Sequence, residues 1–191
     1  LFALANSANA SIFVVDDNYN GINPATACEQ PAGASFYATI TDARLAAATN
    51  AIALPHTMRI CPGSYAEDNT FNDPEFVGMN IEGTTSNPND VQITGISATG
   101  SVIYFRNDKM ILRNVTILGG RYGIRSYTSD SSLFDNLILN KQEYDGILIQ
   151  SSDNRITNSL IENVGRRGVY FTTVGENLFI QSTKVISATT D

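Results

Sequence analysis

Tryptophan is absent from this 191-residue sequence, histidine occurs once and cysteine twice. Cys28, Cys61 and His56 are too few ligands for a zinc site. Lysine and arginine number 12 against 19 aspartates and glutamates, a net charge of −7. An acidic surface of that size repels phosphate backbones, which argues against a nucleic-acid partner. No apolar run approaches the roughly 18 residues needed to span a bilayer, so no membrane span is expected. Charged residues are only 16% of the chain and hydrophobic ones 42%, a balance that excludes both a coiled coil and a disordered chain. No G-x-S-x-G, P-loop or H-E-x-x-H motif occurs.

What the sequence does contain is a repeat. From about residue 100 the chain recurs every 22 to 23 residues: Gly123-Ile124, Gly146-Ile147, Gly168-Val169, and in parallel Asn114, Asn136, Asn158. Each asparagine opens a short apolar run, and turns rich in Ser, Asp and Asn separate the two series. Within a repeat, apolar and polar residues alternate over four to six positions, which is a strand pattern. Strands this short cannot bury a face alone, but stacking each turn on the next buries a continuous core. The expectation is a parallel β-helix, with residues one period apart sitting about 4.8 Å above one another. From about residue 52 there is room for roughly six coils.

Before residue 100 the pattern loosens. Ile12–Val15 reads as a strand, residues 18–35 as a loop, residues 36–50 as a helix with Thr39 or Thr41 as its N-cap, and Met58–Cys61 as a strand ending at Pro62-Gly63. The expected layout is residues 11–50 as N-terminal strand, loop and cap helix and 51–191 as coils, one domain over 11–191. Residues 1–10 carry an apolar Leu1, Phe2, Leu4 stretch and Ala8-Asn9-Ala10, which fits the small-x-small pattern of signal cleavage; a mobile tail is the alternative. An even cysteine count in an exported chain favours a Cys28–Cys61 disulfide worth about 3.5 kcal/mol by loop entropy, against two free buried thiols.

The succession TITDARLAAA then RICPGSYAE resembles the N-terminal cap of secreted pectate-lyase-like β-helix proteins, and GILIQSSDNRITNSLIEN resembles the generic β-helix repeat. Many secreted members of that superfamily carry cysteines at the positions matched by Cys28 and Cys61. The resemblance covers most of residues 12–187 and implies an all-β right-handed parallel β-helix with an N-terminal capping helix, in the extracellular space or periplasm. It is specific for fold rather than activity, because the superfamily includes lyases, hydrolases, adhesins and catalytically silent modules. The hydrolase motifs Gly-Asp-Asp and Gly-His-Gly are missing, and Arg155-Ile156-Thr157 lacks the lysine of the matching hydrolase element. For a lyase, Arg125, Lys141, Arg166 and Arg167 are available bases, without a diagnostic acidic cluster.

Three vertical rows follow from the period. Asn114, Asn136 and Asn158, with a partial second row through Asn140 and Asn163, suit turn positions. Asp108, Asp130, Asp153 and Glu176 would align as an acidic row able to bind Ca²⁺, or simply begin tight turns. If Ile124, Ile147 and Val169 point inward, the outward rows are Ile103, Arg125, Leu148, Tyr170 and Phe105, Tyr127, Gln150, Thr172. Phe105, Arg125, Tyr127, Gln150 and Tyr170 are therefore the candidate carbohydrate-binding residues, since tyrosine faces stack on sugar rings and arginine holds a sugar carboxylate. The expected function is an exported module that binds a polysaccharide along its outward strand face. The alternatives are a lyase on acidic glycans and a structural or adhesive module, with self-association or continuation at the C-terminal end.

Overall fold

A computed structural model describes residues 10–19, 21, 28, 31–50, 55–172 and 176–186. The segment read as a signal remnant, apart from Ala10, and the tail from Ser187 to Asp191 lie outside the described residues.

The chain starts with strand β1 (Ile12–Val15), β2 (Ser35–Tyr37) and helix α1 (Ile40–Ala48). Three short strands, β3 (Thr57–Ile60), β4 (Gly63–Ala66) and β5 (Asn69–Phe71), make the first coil, and β6 (Asn80–Gly83), β7 (Val91–Thr94) and β8 (Ser101–Phe105) the second. In the next two coils the first two strands merge into long bent ones: β9 (Ile111–Leu118) with β10 (Tyr122–Tyr127), and β11 (Leu133–Asn140) with β12 (Asp145–Gln150). Strands β13 (Arg155–Thr157), β14 (Leu160–Glu162) and β15 (Arg167–Phe171) follow, then β16 (Phe179–Gln181) and β17 (Lys184–Ile186). All recorded strand pairs are parallel. The six coils expected from residue 52 match the six strand rows from β3 to β16.

Inward columns run straight through the stack. Phe13, Met58, Ile81, Leu112, Phe134, Ile156 and Ile180 are successive partners in one sheet. Tyr65, Ile93, Ile117, Leu139, Ile161 and Val185 form a second column, and Ile103, Ile124, Ile147 and Val169 a third. Such like-on-like stacking gives a continuous apolar core with no seam between coils, from which only the last members, Ile180 and Val185, are exposed at the far end. The bends need left-handed backbone. Asn114, Asn136 and Asn158 supply it at φ 59, 50 and 50°, a conformation asparagine tolerates. The Asn136 side-chain amide donates to Asn114 Oδ1 at 2.9 Å. The glycine column has a different cause: a Cβ on Gly146 would lie 2.6 Å from the carbonyl oxygen of Gly168.

The cap differs from its sequence reading in one respect. Ser35–Tyr37 is a strand beside β1, and the helix begins only at Ile40. Thr39 is its N-cap, accepting from the Asp42 amide at 3.0 Å. Glu67 completes that helix end from the first coil, its carboxylate accepting from the amides of Ile40 and Thr41 at 2.8 Å each. The helix thus covers the open end of the core with its orphan donors satisfied. Cys28 and Cys61 form the expected disulfide, Cα atoms 5.5 Å apart, packed against Val14.

Candidate functional site: an arginine–tyrosine sheet face

The sheet built from β5, β8, β10, β12 and β15 presents its outer face to solvent. Strand register arranges that face in columns. Thr70, Tyr104, Arg125, Leu148 and Tyr170 are successive partners, and Ser101, Tyr122, Asp145 and Arg167 form a second column. Arg106 continues β8 next to Tyr127, which is followed by its partner Gln150. Along the entry edge of the same sheet, Arg121, Tyr144 and Arg166 stack, each amide bonded to the carbonyl below. Five of the chain's nine arginines and five of its eight tyrosines lie here.

Their geometry repeats one theme, a guanidinium over a phenol ring. Arg125 lies 5.0 Å from the ring centre of Tyr104 and 5.7 Å from that of Tyr127, and Arg106 lies 5.9 and 5.6 Å from the same rings. Arg125 also donates to Gln150 Oε1 at 3.2 and 3.1 Å. At the entry edge, Tyr144 holds Arg121 at 4.9 Å and Arg166 at 4.4 Å, with Tyr122 edge-on to it. Arg106, Arg121, Arg125 and Arg166 make no ion pair with any described residue. Arg167 is the exception: it grips Asp145, only 1% exposed, through two hydrogen bonds of 2.9 and 3.0 Å. That bonding, with a further one to Tyr170, pushes its already high pKa higher.

The face can therefore do two things chemically. Tyrosine rings offer flat apolar surface to a sugar ring, and arginines whose charge is not spent on a carboxylate can donate to one. Its one inward-tucked carboxylate, Asp145, is already engaged, so the face carries no pair of free carboxylates for acid–base hydrolysis.

Of the sequence-derived candidates, Arg125, Tyr127, Gln150 and Tyr170 stand together on this face. Phe105 does not. It is 0% exposed and stacks on Phe134 inside the core. The outward residues of that coil are Tyr104 and Arg106, because the step from Tyr104 to Arg125 is 21 residues rather than 22. Ile103, expected outside for the same reason, is buried beneath Ile124. Tyr104, Arg106, Arg121, Tyr122 and Tyr144 are the face residues that sequence reasoning missed, and the signal lay in the spacing alone.

The acidic row is also interrupted. Asp108 accepts from the Asp130 amide at 2.9 Å and Asp130 from the Ser152 amide at 2.7 Å. Ser152 thus stands above Asp130, while Asp153 takes the left-handed position at φ 57°, in line with Lys109 and Ser131. These carboxylates serve turn amides, and no three acidic, histidine or cysteine groups among the described residues converge to hold a metal ion. Asp153 thus stands out of line with Asp108 and Asp130, so the continuous acidic row expected at Asp108, Asp130, Asp153 and Glu176 does not form. Likewise Asn140 pairs in register with Glu162, and Asn163 sits one position further on, although it still donates to Asn140 Oδ1 at 3.2 Å.

Comparison with known proteins fits this architecture. The family described as right handed beta helix region matches residues 101–191. No curated protein matches the chain by sequence. Among solved structures, an alginate lyase from Paenibacillus sp. str. FPU-7 is similar over 75% of the chain at 17% identity with a TM-score of 0.64. The match spans 55% of that lyase. A pectin methylesterase from Erwinia chrysanthemi is similar over 95% of the chain and 67% of its own length, at 13% identity and a TM-score of 0.53. Another pectin methylesterase, solved with a bound hexasaccharide, covers 97% of the chain and 68% of its own length at 14% identity, TM-score 0.52.

Proposed function

We propose, from its right-handed parallel β-helix fold and the arginine–tyrosine face that the fold builds, that this chain is an exported module binding an acidic polysaccharide on the outer face of β8, β10, β12 and β15. One observation carries the reading: Arg106 and Arg125 lie over Tyr104 and Tyr127 with no carboxylate among the described residues to neutralise them, on a protein of net charge −7. A sugar carboxylate would accept from the guanidiniums while its ring rests on the phenols. Gln150 holds Arg125 in place, and Tyr170 extends the aromatic surface by two coils.

Support for export is the Cys28–Cys61 disulfide, which belongs to oxidising compartments, and among the described residues no helix is long and apolar enough to cross a membrane. Among the similar solved structures are an alginate lyase and pectin methylesterases, consistent with an acidic glycan as ligand.

Affinity electrophoresis of the purified chain in gels cast with polygalacturonate or alginate tests the proposal. Retardation that weakens with added salt is expected, since the contacts are partly Coulombic. Unretarded migration in both gels would overturn it. A parallel ultraviolet assay for unsaturated sugar products separates binding from cleavage: product formation would replace the module reading with that of a lyase.

A further inference from the structure

The cations of this face fall into two groups, not one. Arg106 and Arg125 share Tyr104 and Tyr127 at the exit end of the strands. Arg121 and Arg166 share Tyr144 at the entry edge. Arg125 lies in β10 and Arg121 in the bend just before it, four residues away, at most about 13 Å at strand rise. The exit group centres between β8 and β10 and the entry group on β12, so the line joining them also climbs more than one coil. Between them runs the column of Ser101, Tyr122, Asp145 and Arg167, whose one cation is committed to Asp145. Beyond the exit group stand Asp108 and Asp130, which repel an anion leaving in that direction.

Resting on the acidic-polysaccharide reading, we infer that Arg121, Tyr144 and Arg166 form a second, separate anionic-sugar subsite, and that a long glycan crosses the sheet obliquely to engage both groups at once. A path up a single column would meet both members of the entry group or one member of the exit group, but never both groups. Chains too short to bridge the gap occupy either subsite independently. Chains that bridge it gain the effective-concentration advantage of linked sites, on the order of a hundredfold in affinity. The recognised chemistry is an anionic group on a sugar, carboxylate or sulfate.

Calorimetric titration with size-fractionated oligogalacturonates, and with oligosaccharides of chondroitin sulfate in parallel, tests this. Short oligomers should bind two per protein and long ones a single, much tighter one. Arg121→Gln with Arg166→Gln should halve the short-oligomer stoichiometry and remove the tight step, and Arg106→Gln with Arg125→Gln should do the same. Arg→Lys versions of each pair, which keep charge but lose the planar stack, guard against loss of fold and should weaken the step by roughly tenfold. One short oligomer per wild-type protein, or a tight step that survives Arg121→Gln/Arg166→Gln, would overturn the second subsite while leaving the binding function intact. No binding of any oligomer of either series would overturn the function itself. A preference for carboxylated or sulfated oligomers identifies which anion the two subsites accept.

Discussion

Two of the outer faces of this β-helix use arginine in opposite ways. On the face formed by β3, β6, the start of β9 and the start of β11, charges neutralise each other: Arg59 reaches Glu82 at 3.6 Å, Arg113 bonds the same carboxylate through Nε at 2.8 Å, and Asp135 accepts from Thr157 at 2.6 Å. Arg155, over the exposed Phe179, departs from that pattern at the far end. On the face of β8, β10, β12 and β15, all five arginines rest on tyrosines and only Arg167 also has a carboxylate. The same residue type on the same scaffold is consumed by structure on one side and held ready on the other. Partnership, rather than abundance, separates a binding surface from a solvated one.

Substitutions can break that distinction. The largest effect should come from Arg106→Gln with Arg125→Gln, which is expected to lower affinity for polygalacturonate by about a hundredfold, while Arg59→Gln with Arg113→Gln leaves affinity unchanged. Equal losses from the two pairs would erase the difference between the faces. Next is Arg167→Gln. It strands the buried Asp145 carboxylate without its partner and should lower the melting temperature more than any other single arginine change on the face. Glu82→Gln should cost about 0.5–1 kcal/mol of stability by denaturant titration, with no change in glycan binding.

A comparably small effect concerns the interior that both faces share. Burial pushes the Tyr65 hydroxyl well above its ordinary value near 10, with nearby Asp17 adding to the shift, and it donates to the Cys61 carbonyl at 2.9 Å. Because the unfolded chain ionises first, stability from this group is full below about pH 10 and falls as pH rises further. Tyr65→Phe should flatten that alkaline decline and cost about 1 kcal/mol at neutral pH, measured by denaturant midpoints across the pH range.

Much of this was legible in the sequence wherever one residue type repeats because one backbone conformation demands it. Asn114, Asn136 and Asn158 announce their bend since asparagine tolerates positive φ, and Gly123, Gly146 and Gly168 announce a column with no room for Cβ. Other left-handed columns were invisible: Lys109, Ser131, Asp153 and Asn177 share a φ of 56–59° but no chemistry. Without them the coil steps could not be fixed, and a one-residue slip turns a strand inside out. That slip put Phe105 outside in place of Tyr104 and Arg106, and put Asp153 in line with Asp130. The entry-edge stack escaped notice for a related reason, since Arg121, Tyr144 and Arg166 alternate in kind and leave no identity to repeat.

Side-chain footprinting by hydroxyl radicals, with and without saturating polygalacturonate, compares the two faces in one experiment. Tyr104, Tyr127 and Tyr170 should lose reactivity on binding, while Phe179, 48% exposed on the opposite face, should keep it. Protection of Phe179 with unchanged tyrosines would contradict the assignment of the arginine–tyrosine face as the glycan-binding surface.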